Sequence, residues 1–190
     1  MMIRRMIWLI PVAFICTACP YESRVPLTMR PTEAVDSSLI GYWYGIVKDG
    51  SDFFGIEALD ITIKSDSVYS ITRYGKSIKG DMILPDTAYY SAYTSKIGEE
   101  RYMSVEGTVK IPNRKTPGGF EMRKIYYLTL LEKRSDTLKI RTIAEDFTPR
   151  KDLRSSDELR TLVLSLTRQQ KNIFDDLYSL EYRKVDRPTR

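Results

Sequence analysis

From residue 39 onward, short apolar segments alternate with turn residues along the chain. Residues 59–64 read Leu-Asp-Ile-Thr-Ile-Lys, and this period of two is typical of a strand with one buried face. Turn signals such as Asp49-Gly50, Gly75-Lys76 and Pro85-Asp86 separate the segments. The segments that fit strands are 40–48, 56–64, 67–74, 79–84, 87–95, 101–111, 121–133 and 136–144. Together they predict a mainly β domain, a single antiparallel meander that closes into a barrel or folds as a β-sandwich.

The period changes near the C-terminus. Ser155 and Glu158 form a predicted capping box, and apolar residues then follow at helical spacing, which predicts a helix over about 156–170. Alternation returns at 178–184 and predicts a short last strand. The alternative is one long helix, because apolar residues recur every seven positions at Leu159, Leu166, Ile173 and Leu180.

The N-terminus has the three parts of a secretory signal peptide. Arg4 and Arg5 precede an apolar run over 6–15, which is too short to span a bilayer as a mature helix, and small residues follow. The sequence Cys16-Thr17-Ala18-Cys19 resembles a lipobox, although Cys16 stands where that motif usually has an aliphatic residue. The resemblance implies that residues 1–18 are removed and that lipid is attached to Cys19. An ordinary signal peptide cut elsewhere, or a transmembrane anchor, are the alternatives.

The residues after Cys19 are polar and rich in proline, with Pro20, Pro26 and Pro31 among them. Proline disfavours helix and central strand, so residues 19–38 are predicted to be a lipid-anchored tether for a domain over 39–190. A fully extended tether would reach roughly 60 Å. The alternative is that Val25 and Leu27 dock on the domain. Because Pro20 follows Cys19 where an aspartate would signal retention, resemblance to known sorting signals favours the outer membrane over the inner one.

Cysteine content and charge narrow the classes of protein further. The chain has two cysteines, Cys16 and Cys19, so the mature domain would have neither a free thiol nor a disulfide. Without Arg4 and Arg5, 28 basic and 25 acidic residues remain, and the mature net charge is +3. This weak charge is scattered along the chain, so nucleic acid is not expected as a partner.

The folded part opens with Leu39-Ile40-Gly41-Tyr42-Trp43. This Gly-x-Trp at the first strand resembles lipocalin-type barrels, in which the tryptophan closes the barrel floor. With the lipobox, the polar tether and the C-terminal Ser-Ser-x-Glu-Leu helix, the chain resembles small lipocalin-like lipoproteins of Bacteroidetes-type bacteria. The resemblance covers most of residues 19–184 and implies a barrel with Trp43 buried near its closed end. It implies no particular ligand, because a fold does not fix a function.

The sequence lacks the residues from which most catalytic sites are built. Histidine is absent, and no nucleotide-binding glycine motif or calcium loop occurs. We therefore predict no catalytic residues, no metal site and no cofactor. Paired carboxylates can hydrolyse glycosides, but the strand carboxylates are expected to face solvent. They are Glu57, Asp60, Glu106 and Glu121. The basic loop over 113–119 is expected to be a solvated hairpin end that an anionic ligand could still meet.

Tyrosine is abundant, with 13 residues in the chain. Tyr42 and Tyr44 share one face of the first strand, and Trp43 lies on the other. The candidate ligand-contacting or core aromatics are Tyr42, Trp43, Tyr44, Tyr69 and Tyr126. Two functions are expected. The first is a non-enzymatic, membrane-anchored accessory lipoprotein with an envelope protein partner. The alternative is a binding module for a small apolar or glycan ligand, which would need an open barrel interior.

Overall fold

The computed structural model describes residues 21–49, 52–79, 82–116, 118–147 and 153–188. Eight antiparallel strands follow one another in chain order around a closed barrel. They are β1 (Gly41–Asp49), β2 (Asp52–Ser65), β3 (Val68–Lys79), β4 (Met82–Ile97), β5 (Glu100–Pro112), β6 (Phe120–Arg134), β7 (Thr137–Ile143) and β8 (Phe174–Val185). Strand β8 pairs back onto β1, with Tyr42 opposite Val185. The predicted meander barrel of lipocalin-like form is thus confirmed, and the sandwich alternative is wrong.

Two predicted turns are strand interiors. Pro85-Asp86 lies within β4 and Gly75-Lys76 within β3, so the segments predicted at 79–84 and 87–95 do not form separate strands. Pro85 is tolerated because β4 pairs with β5 only from Ser91 onward, which leaves its other edge free at the proline. Gly75 lies opposite Asp86 in the β3–β4 ladder.

The C-terminal part contains a helix followed by a strand, as predicted. Helix α1 (Ser156–Arg168) begins after Ser155, whose hydroxyl accepts a hydrogen bond from the Glu158 amide at 3.2 Å. Gln170, just beyond the helix, has a left-handed φ of 55°. Strand β8 begins at Phe174 and is longer than the predicted 178–184. The single long helix is therefore wrong, because residues 174–185 supply the strand that closes the barrel.

Apolar residues form two separate clusters. The interior cluster fills the barrel toward the end where β1 begins, and includes Leu39, Trp43, Leu59, Ile61, Tyr69, Met103, Leu131 and Leu138. The outer cluster lies on the outside of β4 to β7, beneath α1. It includes Leu27, Ile97, Tyr102, Leu128, Leu130, Ile143, Leu159 and Val163. The helix thus covers one outer wall of the barrel and buries its apolar face there.

The predicted tether is docked on the barrel over its described part. Leu27 is 1% exposed, Val25 packs on the outer cluster, and the Leu27 amide donates to the Ser104 hydroxyl at 3.2 Å. The Ser156 hydroxyl on α1 donates to the Pro26 carbonyl at 2.7 Å. A free spacer over residues 21–38 is therefore wrong, and the docking alternative is correct. Proline had disfavoured helix and strand in this segment, but the apolar side chains between the prolines still find buried positions.

Candidate functional site

Residues 33–39 and Trp43 close one end of the barrel. Trp43 is completely buried, and its indole Nε1 donates to the Leu39 carbonyl at 2.8 Å. The Tyr69 hydroxyl accepts from the Asp36 amide at 2.7 Å, and Arg101 donates to Asp36 at 2.7 Å. Hydrogen bonds from Ser38 and then from Arg101 lower the pKa of Asp36. Trp43 and Tyr69 are therefore core residues of the closed end, as the floor prediction requires.

A polar cluster lies above this floor, around the buried carboxylate of Glu57. The Tyr182 hydroxyl donates to its Oε1 at 2.5 Å, and Arg73 Nη1 donates to its Oε2 at 3.0 Å. The second Arg73 nitrogen donates to Asp86. Both oxygens of Glu57 are occupied, so the carboxylate is held as a hydrogen-bond acceptor rather than left available to a substrate.

Two glycines lie beside this cluster, and Gly45 leaves the space that Tyr182 occupies. Gly45 and Gly75 lie on the strands that flank β2 at the level of Glu57. A Cβ at Gly45 would lie 2.7 Å from the Tyr182 ring, and one at Gly75 would lie 3.5 Å from the Arg73 guanidinium. The Tyr182 ring thus reaches Glu57 across Gly45, where a side chain would collide with it, whereas a Cβ at Gly75 would make only an ordinary contact with Arg73. The isolated glycine at position 45, inside a predicted strand, is the sequence signal that could have revealed the close approach of Tyr182.

Two further tyrosines fill the interior beside this cluster. Tyr90 and Tyr127 meet edge to face, with ring centroids 6.4 Å apart. The Tyr90 ring lies 3.2 Å from the position that a Cβ would take at Gly107. Tyr127 donates to Glu22 at 3.2 Å. Over the described residues, tyrosines and the Glu57 cluster therefore occupy the mid-height of the barrel.

A groove of about 460 Å³ lies at the rim of the closed end, outside this packed interior. Its walls include Leu39 and Leu131, but charged side chains of both signs surround it, among them Lys96, Glu100 and Lys133. Such a lining differs from the mostly apolar lining of small-molecule sites. Among the described residues, no group of three or more His, Cys, Asp or Glu side chains is placed to hold a metal ion.

The carboxylates singled out from the sequence do not converge. Glu57 faces the interior, whereas Asp60 pairs with Arg187 at 2.5 Å on the outside. Glu106 accepts from Lys124 at 2.9 Å, and this contact lowers its pKa. Glu121 accepts from Arg123 and from Asn113 of the β5–β6 hairpin, each at 2.7 Å. Each carboxylate has its own partners, and the structure brings no two of them together as a catalytic pair.

An exposed apolar surface covers the outside of β1 to β3 and the end of β8, on the wall that α1 leaves uncovered. We call it the tyrosine wall. Its members are Tyr42, Tyr44, Ile46, Ile56, Tyr74 and Val185. Ile46 lies opposite Ile56 in the ladder and Tyr42 opposite Val185, so the side chains are contiguous on one face. Ile46 is 52% exposed and Tyr44 40%. Tyr42 and Tyr44 are thus on the outside of the barrel.

Tyr126, the remaining aromatic candidate, also faces outward but belongs to another part of the barrel. Its backbone pairs with Ser23 of the docked N-terminal segment. Its hydroxyl donates to Glu106 at 3.1 Å. The five candidate aromatics therefore have three separate locations. In a closed barrel, outward-facing side chains on different strands point in different directions.

No family model, no curated protein and no solved structure matches this chain. The lipocalin-like architecture therefore stands on the strand order and its closure, and the lipoprotein relationship stays a prediction from motifs. Cys19 and the signal peptide lie outside the described residues. Within the described residues, none of the helices has the length and apolarity needed to cross a membrane.

We expect the stability of the fold to fall at alkaline pH, because several tyrosines are buried or half-buried. Burial raises the pKa of Tyr93 to about 12, and it also raises the pKa of Tyr102, Tyr127 and Tyr182. An unfolded tyrosine titrates near pH 10, so the unfolded state loses protons first and the free energy of unfolding should fall as pH rises above about 10. Absorbance at 295 nm should show a second group of tyrosines that ionise only as circular dichroism reports unfolding. A single step near pH 10 with the fold intact would contradict this assignment.

Proposed function

We propose that the protein is a membrane-anchored, non-enzymatic bacterial lipoprotein that binds an envelope protein through the tyrosine wall. The observation that carries the proposal is the asymmetry of the barrel's outer surface. Helix α1 and the N-terminal segment bury one apolar wall, whereas the chain leaves the other exposed. Contiguous exposed apolar patches mark interaction sites, and tyrosine is enriched at the centres of protein interfaces.

The charge beside the wall favours a partner of a different kind over a second copy of this chain. Arg183 lies opposite Tyr44 on β8 and is exposed beside the wall, and Arg187 pairs with Asp60 there, whereas Lys184 lies opposite Trp43 and donates to the Ser38 carbonyl at the closed end. A second copy meeting the wall would bring a second Arg183 to the contact, and like charges across an interface are unfavourable. We therefore propose a protein partner with acidic residues beside its apolar contact.

The packing of the described interior side chains supports a surface role over an internal ligand. Tyr90, Tyr127 and Tyr182 lie in the described part of the interior, and Glu57 has both oxygens engaged. The absence of histidine from the sequence, and of cysteine after Cys19, supports a non-enzymatic role. An envelope location, with the outer membrane as the expected site, follows from the motif at Cys19.

The lipid anchor is tested by replacing its cysteine. Cys19→Ser should move the protein from the detergent phase to the aqueous phase of a temperature-induced detergent separation, because the acyl chains that hold it would be missing. Cys16→Leu is the control, since it brings the motif closer to the usual lipobox and removes only a residue of the signal peptide. Equal partitioning of Cys19→Ser and the unaltered protein would rule out the anchor.

The tyrosine wall is tested by the double substitution Ile46→Ser and Tyr44→Ser. Because both side chains are exposed, stability should change by less than about 1 kcal/mol. Binding to a partner recovered from solubilised envelopes should weaken by roughly 30-fold, the effect of losing about 2 kcal/mol at an interface centre.

Ile63→Ser provides the matched control, since Ile63 is 61% exposed on β2 but lies outside the wall. A protein that the unaltered chain and Ile63→Ser retain, and that the double variant loses, supports the proposal. Recovery of the same protein with the unaltered chain and with both variants would contradict it. Recovery of a co-purifying small molecule without any protein would favour the ligand-binding alternative.

A further inference from the structure

The N-terminal segment enters the barrel wall between two strands. Strands β6 and β7 are paired only up to Thr129 and Thr142, and beyond these residues they diverge. Ser23 fills the fork, since its amide donates to the Tyr126 carbonyl at 3.0 Å and its carbonyl accepts from the Tyr126 amide at 2.8 Å. On the other side, the Tyr21 amide donates to the Ile143 carbonyl of β7 at 2.9 Å. Residues 21–23 therefore bridge two strand edges that are otherwise unpaired at this level.

Side chains hold the same segment to the barrel on both sides of its backbone. The Tyr21 ring packs edge to face on Phe147, with centroids 4.8 Å apart. Glu22 is exposed, and its carboxylate accepts a hydrogen bond from the Tyr127 hydroxyl. Further along, Thr28 contacts Ser95 at 2.6 Å and accepts at its carbonyl from Tyr93. The segment is thus fixed from its first described residue, with no free spacer left between Tyr21 and the barrel.

The covalent distance to the proposed anchor is consequently short. Cys19 precedes Tyr21 by two residues, and two extended residues span at most about 7 Å. A lipid on Cys19 would therefore enter the bilayer close to the β6–β7 fork. This distance replaces the roughly 60 Å expected for an extended tether of the full segment.

The fork and the tyrosine wall are on opposite sides of the barrel. In the closed order of eight strands, β6 lies across the ring from β2 and β7 lies across from β3, and β2 and β3 both carry side chains of the wall. Helix α1 packs on the outside of the strands next to the fork, so its solvent-exposed face is on the anchor side. A short anchor at the fork would turn the β6–β7–α1 flank toward the lipid and the wall away from it.

We infer that the docked segment orients the barrel on the membrane, with the β6–β7–α1 flank against the lipid surface and the tyrosine wall facing the aqueous compartment. This inference rests on the proposed lipid anchor. It deepens the proposed function by stating how the wall is presented: its partner approaches from the aqueous side, and the lipid surface is the flank's own partner.

Single introduced cysteines can test the orientation, because acylation consumes Cys19 and no other thiol remains in the mature chain. Thr161→Cys places a fluorophore on the exposed face of α1, and Thr87→Cys places one beside the wall on β4. The acylated proteins are reconstituted into vesicles of phosphatidylethanolamine and phosphatidylglycerol that contain a headgroup spin-labelled lipid. We expect strong quenching at position 161 and weak quenching at position 87.

A spacer variant provides the control for the short connection. Ten Gly and Ser residues inserted between Pro20 and Tyr21 would add a root-mean-square reach of about 17 Å without changing the docked segment. In this variant both fluorophores should be quenched weakly and to a similar extent, while flotation with the vesicles is retained. The difference in quenching between positions 161 and 87 should therefore be lost when the spacer is inserted, and it should be present without the spacer.

The anchor and the orientation fail in different ways. A chain without introduced cysteines that reacts with maleimide at Cys19 and does not float would overturn the proposed anchor, and the orientation with it. Flotation with equal quenching at positions 161 and 87 would overturn the orientation alone. Stronger quenching at 87 would place the wall against the lipid and would likewise overturn it.

Discussion

Trp43→Ala is expected to lower the free energy of unfolding by about 3–5 kcal/mol, the usual cost of deleting a large buried aromatic side chain. Trp43 is completely buried at the closed end, where it packs in the interior cluster and donates to the Leu39 carbonyl. The truncation would leave a cavity between strands and residues 35–40, and it would leave that carbonyl without its partner. Urea unfolding followed by circular dichroism measures the loss as a shift of the midpoint.

Tyr89→Ala is the aromatic control for this experiment, because Tyr89 is 76% exposed and its loss should change stability by about 0.5 kcal/mol or less. Trp8 lies in the predicted signal peptide, so Trp43 is expected to be the single tryptophan of the mature chain. Its fluorescence should be blue-shifted in the folded protein and should move to longer wavelength on unfolding. An emission maximum already at the solvent-exposed value would contradict the closed end described here.

Glu57→Ala is expected to cost about 3 kcal/mol, at the low end of the range for removing one partner of a buried ion pair. The low end applies because Arg73 keeps Asp86 as a second partner and its side chain is 30% exposed. The loss arises because the Tyr182 hydroxyl, in a buried residue, would have no acceptor, and Arg73 would lose one of its two carboxylates. Thermal and urea unfolding both measure it.

Glu132→Ala serves as the control. The Glu132 carboxylate lies 3.8 Å from Arg141 Nη1, and the Glu132 side chain is 37% exposed. Surface pairs of this kind contribute about 0–1 kcal/mol. In the alkaline titration, Glu57→Ala should also lower the pH at which the buried tyrosines ionise, because the variant unfolds at a lower pH. Equal stabilities of Glu57→Ala and Glu132→Ala would show that the interior cluster contributes little to the fold.

The features that the sequence predicted correctly are those that depend on neighbouring residues. Alternation with a period of two placed Tyr42 and Tyr44 on one face of the first strand and Trp43 on the other, since successive side chains of a strand point to opposite faces. It did not say which of the two faces would be buried. The capping box placed the start of α1 at Ser155, since its hydrogen bond joins residues three apart. The meander followed from short connections, which leave consecutive strands as neighbours.

The errors and omissions concern residues whose environment is made by distant parts of the chain. Glu57 and Tyr182 are 125 residues apart in sequence, and closure of β8 onto β1 brings them within hydrogen-bonding distance. The turn predicted at Gly75-Lys76 is instead part of β3, which stays paired with β4 from Tyr69 to Lys79. Residues 21–28 were predicted to be a tether from their prolines. Their docking depends on the free edges that β6 and β7 leave where they diverge, and such edges exist only once the barrel has closed.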